Sequence, residues 1–379
     1  MIYLDNATTS FPKAPGVAEA AAAQLASLGG SAGRSEHGPA RAAVQVLYET
    51  RERLAALVGV ARPDRLVFTK NATEALNLVI NGCARPGGLV VTTALEHNAV
   101  MRPLRFLEAR AGLRLRVLES DASGVPRRDA LARALLERPV LMVATAASNV
   151  TGQMLPIGEM AEACSAAGVP FCVDASQFVG HRRIDFEGLG AAALCFSCHK
   201  GLLGPSGLGA LCLREDFAPE PLIRGGTGSR SESEEQPDFL PDRYEAGTQN
   251  LVGLAGMLAA LRFFEEVGME SLARAESAAV DRLMEGLASI GGMRLLGPPP
   301  GSARAPLVSL VSASRPAADL ALELDRRGIA ARPGLHCAPA AHRWAGSLDR
   351  GGALRLSPGP FTTAAEVDAA LAALKEILA

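Results

Sequence analysis

Seven short apolar runs between residues 65 and 213 constrain this chain more than any other feature. They cover 65–69, 88–93, 114–118, 140–146, 170–174, 192–197 and 208–213. A strand wet on one face alternates apolar with polar residues, so runs apolar on both faces predict strands covered on both sides. Helical patterns follow several of them, at 73–82, 97–111, 127–137 and 156–167. Strands joined by helices predict an α/β fold with a mostly parallel sheet. Residues 41–59 predict another amphipathic helix, with Val44, Leu47, Leu54, Leu57 and Val58 near one face and Gly59 at its end.

A single core stops growing near ~250–300 residues, so a chain of 379 predicts two domains. Residues 219–250 are rich in Gly, Pro, Ser and acids, and a loop of this length is usually functional or mobile. A helical stretch follows over about 251–290. Beyond GPPPGSARAP come strand 307–311, helix 316–327, strand 352–356 and a last helix from Ala364, together a small α+β unit. That helix opens with a capping box, Thr363 and Glu366, and carries an apolar stripe at Val367, Leu371, Leu374 and Leu378. The boundary is expected near residue 255, giving a large domain 15–255 and a small domain 256–379 that includes segment 1–14.

Composition excludes several partner classes. Lys+Arg is 38 against Asp+Glu 40, which gives no electrostatic case for nucleic acid. The apolar stretch 251–261 is closed by Arg262 and falls short of the ~20 residues of a membrane span. MIYLDNATTS has no basic n-region, so no signal peptide is expected. Seven cysteines, mostly inside apolar runs, predict free thiols in a reducing compartment, hence a cytoplasmic chain.

Four motifs at predicted strand ends carry candidate chemistry. Ser197-Cys198-His199-Lys200 runs into GLLGPSGLGAL. A lysine at a buried strand end would have a lowered pKa and could form a Schiff base; it is equally read as a solvated loop residue. Asp174 of VDASQ could keep a pyridinium nitrogen protonated, or could cap a following helix. Asn71-Ala72-Thr73-Glu74 offers backbone N–H groups and a hydroxyl for a phosphate, and is also a variant capping box. His97 could stack on an aromatic cofactor, or be only a turn residue.

Together with YLDNATT and EAGTQN, these motifs resemble fold-type I pyridoxal-phosphate (PLP) enzymes of aminotransferase class V, and most closely the cysteine desulfurases. The resemblance spans essentially the whole chain and implies a large domain with a mostly parallel seven-stranded sheet. It implies that Lys200 holds PLP as a Schiff base, Asp174 pairs with the ring nitrogen, Gln177 with the ring hydroxyl oxygen, and His97 stacks on the ring. Ala72, Thr73, Ser197 and His199 would hold the phosphate, and Thr248 of EAGTQN would reach the partner subunit's phosphate in a homodimer. Asn149, Arg355 and Arg332 would serve the substrate, Arg355 by matching its fork to a carboxylate unless it is merely a surface strand residue.

The run Arg332-Pro333-Gly334-Leu335-His336-Cys337-Ala338-Pro339 is similar to the cysteine loop of the SufS-like, group II desulfurases. That group has a histidine pair before the cysteine, and here Leu335 takes the first place. A structural turn cysteine is the alternative, but a thiol in an exposed Gly/Pro-bounded loop beside His336 and Arg332 fits a thiolate nucleophile better. The resemblance implies conversion of L-cysteine to L-alanine, with a persulfide on Cys337 passed to an acceptor protein or thiol. A selenocysteine lyase or another class V aminotransferase is the alternative. Cys195 and Cys198, three apart on a strand, are read as core thiols rather than a disulfide or zinc pair. His336, Cys337 and His342 make a poor metal site, so no metal is expected.

Overall fold

The computed structural model describes residues 1–27, 30, 32 and 37–378. All seven runs become strands of one sheet. The order across it is Leu66–Thr69, Gly209–Leu213, Ala193–Ser197, Phe171–Asp174, Leu141–Thr145, Leu89–Thr92 and Arg114–Val117. Pairing is parallel from Ala193–Ser197 to Arg114–Val117, while Gly209–Leu213 is antiparallel to both its neighbours. The reversal has a simple cause: a parallel return needs a crossover of a dozen or more residues, and the glycine-rich turn between these strands is shorter.

Side chains alternate between two apolar layers. Met142, Ala144 and Phe171 pack into one, Leu141, Val143 and Cys172 into the other. Every residue of the inner strands is buried. Arg114–Val117 departs from that expectation, because it is an edge strand with exposed Arg114 and Val117.

The helical stretch after residue 250 is two helices, Leu251–Val267 and Met269–Ala288, broken at Gly268 with φ 82°. Leu254, Met257 and Leu261 join the sheet's core, whereas Val280, Leu283 and Leu287 join a second cluster. That cluster includes Leu320, Leu324, Val367 and Leu374, with Leu4 from the N-terminus. It covers an antiparallel four-stranded sheet of order Arg332–Gly334, Ala353–Leu356, Val308–Ser312 and Met293–Leu296. Ile2–Tyr3 pairs in parallel with Ile329–Ala330. The predicted capping box is present: the Glu366 amide donates to Thr363 Oγ1 at 3.3 Å, and the Thr363 amide to Glu366 Oε2 at 2.8 Å.

Residues 219–250 hold no helix or strand, yet their end is pinned by charge. Buried Arg51 donates to Glu245 Oε1 at 2.8 Å and Oε2 at 2.6 Å, and to the Leu66 carbonyl at 3.1 Å. The Phe68 amide donates to the same Glu245 carboxylate at 2.7 Å. Arg51→Met would strand a buried carboxylate, and such breaks cost about 3–5 kcal/mol. The urea midpoint should fall accordingly, and Arg51→Met with Glu245→Leu should recover most of the loss.

Candidate active site

Parallel strands end on one side of their sheet, and in open α/β sheets ligands bind at those carboxyl ends. Asp174 and Ser197 are the last residues of their strands, and His97 follows the strand that ends at Thr92. Leu66–Thr69, two antiparallel steps from Ala193–Ser197, points the same way and delivers Asn71 and Ala72. These ends enclose a cavity of about 240 Å³ lined by Ala72, Thr73, His97, Asn149, Asp174, Gln177, Ser197, His199 and Lys200. Nine sequence-predicted residues thus share one cavity. The segments bearing Asp174 and Lys200 touch backbone to backbone: a Cβ on Gly180 would lie 2.2 Å from the Gly201 carbonyl carbon, so both positions need glycine.

Local hydrogen bonds aim these groups. Asn71 caps helix Ala72–Cys83 by accepting from the Glu74 amide, and the Ala72 amide donates to Ser197 Oγ at 3.0 Å. His97 caps helix Asn98–Ala111, its Nδ1 accepting from the Ala99 amide at 3.0 Å. Capping and cavity lining therefore coexist in both motifs. Asp174 caps no helix; its Oδ1 accepts from the amide and hydroxyl of Ser176.

Burial sets the charge states. It pushes Lys200 down to about 8, with Asp174 opposing and Arg355 and Arg332 adding to the fall. It pushes His97 and His199 down to about 4, and the nearby lysine adds to it. Gln177 Oε1 and His199 Nδ1, on cavity-lining residues, are buried without partners. Unpaired buried polar atoms around a lysine and a carboxylate fit a polar aromatic cofactor with a phosphate.

Beside the cavity lies a second group. Arg355 is buried in the inner strand Ala353–Leu356, not on the surface. Its Nη1 donates to the Asn149 carbonyl at 3.0 Å, and its Nη2 to Asp5 Oδ1 at 3.0 Å and Thr8 Oγ1 at 2.8 Å. Arg332 donates to the same Thr8 hydroxyl at 2.7 Å, and its Nη2 lies 3.9 Å from Cys337 Sγ. Cys337 is exposed while the other six cysteines are buried. Burial pushes the Cys83, Cys164 and Cys198 thiols up to about 12.

His336 and Arg332, both close to the thiol in sequence, face it differently. Buried His336 directs Nε2 to the Arg332 carbonyl at 3.0 Å and Nδ1 to His342 Nε2 at 3.1 Å. The charged group facing the sulfur is Arg332. Asn149 Nδ2 donates to the His336 carbonyl at 2.6 Å, so it tethers the cysteine loop as well as lining the cavity. Thr248 is exposed and lies outside the cavity, in the segment pinned by Glu245. Among the described residues no group of three or more His, Cys, Asp or Glu side chains could hold a metal, and no helix is long and apolar enough to cross a membrane.

A family model for aminotransferase class V matches residues 2–370. The chain belongs to this family. Its members are PLP-dependent enzymes. This class V chain is 35% identical over 358 residues to a protein named "Probable cysteine desulfurase" from Aeropyrum pernix, covering 90% of this chain and 86% of the relative. It superposes on the apo cysteine desulfurase of Thermococcus onnurineus with TM-score 0.91 at 31% identity, over 100% of this chain and 94% of that one. The cysteine desulfurase CsdA of Escherichia coli gives TM-score 0.87 at 27% identity, over 100% and 95%.

Sequence reasoning gave no role to Asp5, Thr8, His342 or Glu96, although Asp5 and Thr8 stand in the quoted YLDNATT and Glu96 adjoins His97. Glu96 Oε1 accepts from Thr93 Oγ1 at 2.6 Å and from the Thr145 amide at 2.9 Å, tying two strand ends together. Its Oε2 is buried without a partner, and burial, aided by Asp174, pushes the carboxyl up to about 8 from 4.5. Between those values the folded protein keeps a proton that the unfolded chain has lost. Stability from this group is complete below about 4.5 and fades as the pH climbs to about 8. Glu96→Gln mimics the neutral acid and should remove that slope. Melting curves should show the variant gaining on wild type by a few degrees between about pH 5 and about pH 9.

Proposed function

We propose that this class V chain is a PLP-dependent cysteine desulfurase, with Cys337 as the sulfur acceptor. The observation that carries the reading is the placement of that thiol. It is exposed on a loop tethered through Asn149 to a buried arginine and to the lysine-bearing cavity. The naming of the relatives supports the same reading.

Pyridoxal phosphate, when bound, supplies an electron sink for charge developing at the substrate α-carbon. Lys200 would hold its aldehyde carbon, Asp174 its ring nitrogen, Gln177 its ring oxygen, and Ala72, Thr73, Ser197 and His199 its phosphate. His97 would lie against the ring. Arg355 binds the substrate carboxylate through its fork, and Asn149 and Arg332 complete that side. Lys200, with its amine near 8, exchanges protons readily at neutral pH and serves as base at the α-carbon. The Cys337 sulfur attacks the substrate sulfur; an S–S bond forms, the Cβ–S bond breaks, and its electron pair takes up a proton to give alanine. Arg332 offers a positive charge beside the attacking sulfur. L-cysteine and the enzyme thiol thus become L-alanine and an enzyme persulfide, which is handed to an acceptor protein or thiol. Selenocysteine fits the same groups.

The reading includes a homodimer, because exposed Thr248 lies outside its own chain's cavity and would complete the partner's phosphate site. It also includes a cytoplasmic, reducing setting, supported by seven unpaired cysteines. The large and small domains, 15–255 and 256–379 with 1–14, would meet at this site.

Cys337→Ala should lower alanine formation from cysteine by at least about 100-fold while leaving cofactor content unchanged, with part of selenocysteine cleavage surviving. Mass spectrometry of the wild type after brief exposure to cysteine should find one added sulfur on the Cys337 peptide. Sulfur on another cysteine, or alanine accumulating without it, refutes the assignment. Lys200→Ala should abolish turnover and the absorbance of a covalently held cofactor; alanine at wild-type rates would sink the lysine's role.

A further inference from the structure

His336 and Cys337 both hold left-handed backbone conformations, with φ 49° and 56°. Neither is glycine, so the surroundings must impose the shape. Two backbone anchors are visible: the Asn149 side chain donates to the His336 carbonyl at 2.6 Å, and the Asn98 amide to the Cys337 carbonyl at 2.7 Å. The third anchor is a chain of side chains from the helix Pro339–Trp344 and the turn after it. His336, His342 and Ser347 are all buried.

The direction of that chain follows from chemistry. The Arg332 carbonyl can only accept, so His336 Nε2 donates to it. Burial, with Arg355 nearby, pushes His336 down to about 3 and His342 down to about 4, so both rings are neutral. His336 Nδ1 is therefore an acceptor, and His342 Nε2 donates to it at 3.1 Å. His342 Nδ1 then accepts, and the Ser347 hydroxyl donates to it at 2.8 Å. Each ring nitrogen has one assigned role, and the imidazole next to the thiol has no nitrogen left for it; the longer 3.4 Å contact of the Ser347 hydroxyl with the His342 carbonyl is the weaker of its two.

We propose that Ser347 and His342 are positioning residues that, through His336, lock the Cys337 loop in its left-handed shape and so aim the thiol at the cavity. The proposal rests on the reading of Cys337 as sulfur acceptor. The histidine partner that the sequence lacks at position 335 is supplied in space by His342; Leu335 exposes its side chain and meets His342 only through its backbone. Ser347 completes the chain: without its hydroxyl, buried His342 Nδ1 is left with no donor, nothing holds the ring's Nε2–H on His336, and the lock opens.

The test uses the PLP-loaded protein with His342→Leu, His342→Gln and Ser347→Ala. Hydrogen exchange of the peptide containing Cys337, without substrate, reads the loop directly. Exchange should quicken several-fold in His342→Leu and Ser347→Ala, and return toward wild type in His342→Gln, whose amide keeps a donor for His336. With cysteine, kcat should drop at least about tenfold in His342→Leu while KM stays within about twofold, because a misplaced nucleophile slows chemistry rather than binding. Wild-type exchange in both lock-breaking variants, or faster exchange with unchanged kcat, overturns the proposal. If His342→Leu fails to fold, Ser347→Ala, which removes one oxygen, decides alone. A wild type that makes no alanine would overturn the proposed activity, yet the exchange measurements would still decide the lock.

Discussion

A parallel strand can return only through a crossover, and each crossover leaves the strand ends on one side of the sheet. That constraint builds the site. Asp174 and Ser197 end neighbouring strands because those strands pair in parallel, with Asp174 opposite Cys195 and Ser197 two residues further on. Lys200 follows directly, in a turn too short for a crossover, which is also why the next strand runs backwards. The glycines at 180 and 201 then let the two chain segments touch. Topology supplies the meeting place, and glycine supplies the last few ångströms.

Charge explains what the place is for. Lys200, Arg332 and Arg355 gather near one buried or half-buried carboxylate on each side, Asp174 and Asp5. Burial drives Arg355 down to about 10 even with Asp5 against it. Such a group of cations is stable only with anions close by. In the proposed function a substrate carboxylate and a cofactor phosphate would meet that need, and the N-terminal segment positions the arginines through Asp5 and Thr8.

Much of this was legible in the sequence, and the reason is local. Apolar runs and helical periods are properties of neighbouring residues, so all seven strands of the large sheet were visible. Motif residues at strand ends were visible too, since position relative to the run is a local fact. What escaped was long-range. Arg51 and Glu245 lie 194 residues apart, one within the predicted helix 41–59 and the other within the polar segment 219–250, with no local sign of their pairing. Thr8 meets Arg332 across 324 residues. The strands Ile2–Tyr3 and Arg332–Gly334 are too short for any period to show. Gly268 sat inside a helical pattern, and only its left-handed backbone reveals the break.

The cysteine loop shows why a family pattern can be met by other means. A left-handed backbone at a residue with a Cβ costs about 1–2 kcal/mol, and this loop has two in succession. The cost persists only where contacts over-determine the shape. Here they come from both sheets' neighbourhoods: Asn149 and Asn98 beside the large sheet, and the buried histidines beside the small one. A thiol on a strand would be rigid but sealed, as the buried cysteines are. A thiol on a free loop would be reachable but poorly aimed. A sulfur carrier must first face a substrate and then an acceptor, so it needs an exposed loop with a strongly held backbone. Exposed Cys337 and buried His336, adjacent in sequence and opposite in exposure, would meet both demands of the proposed role.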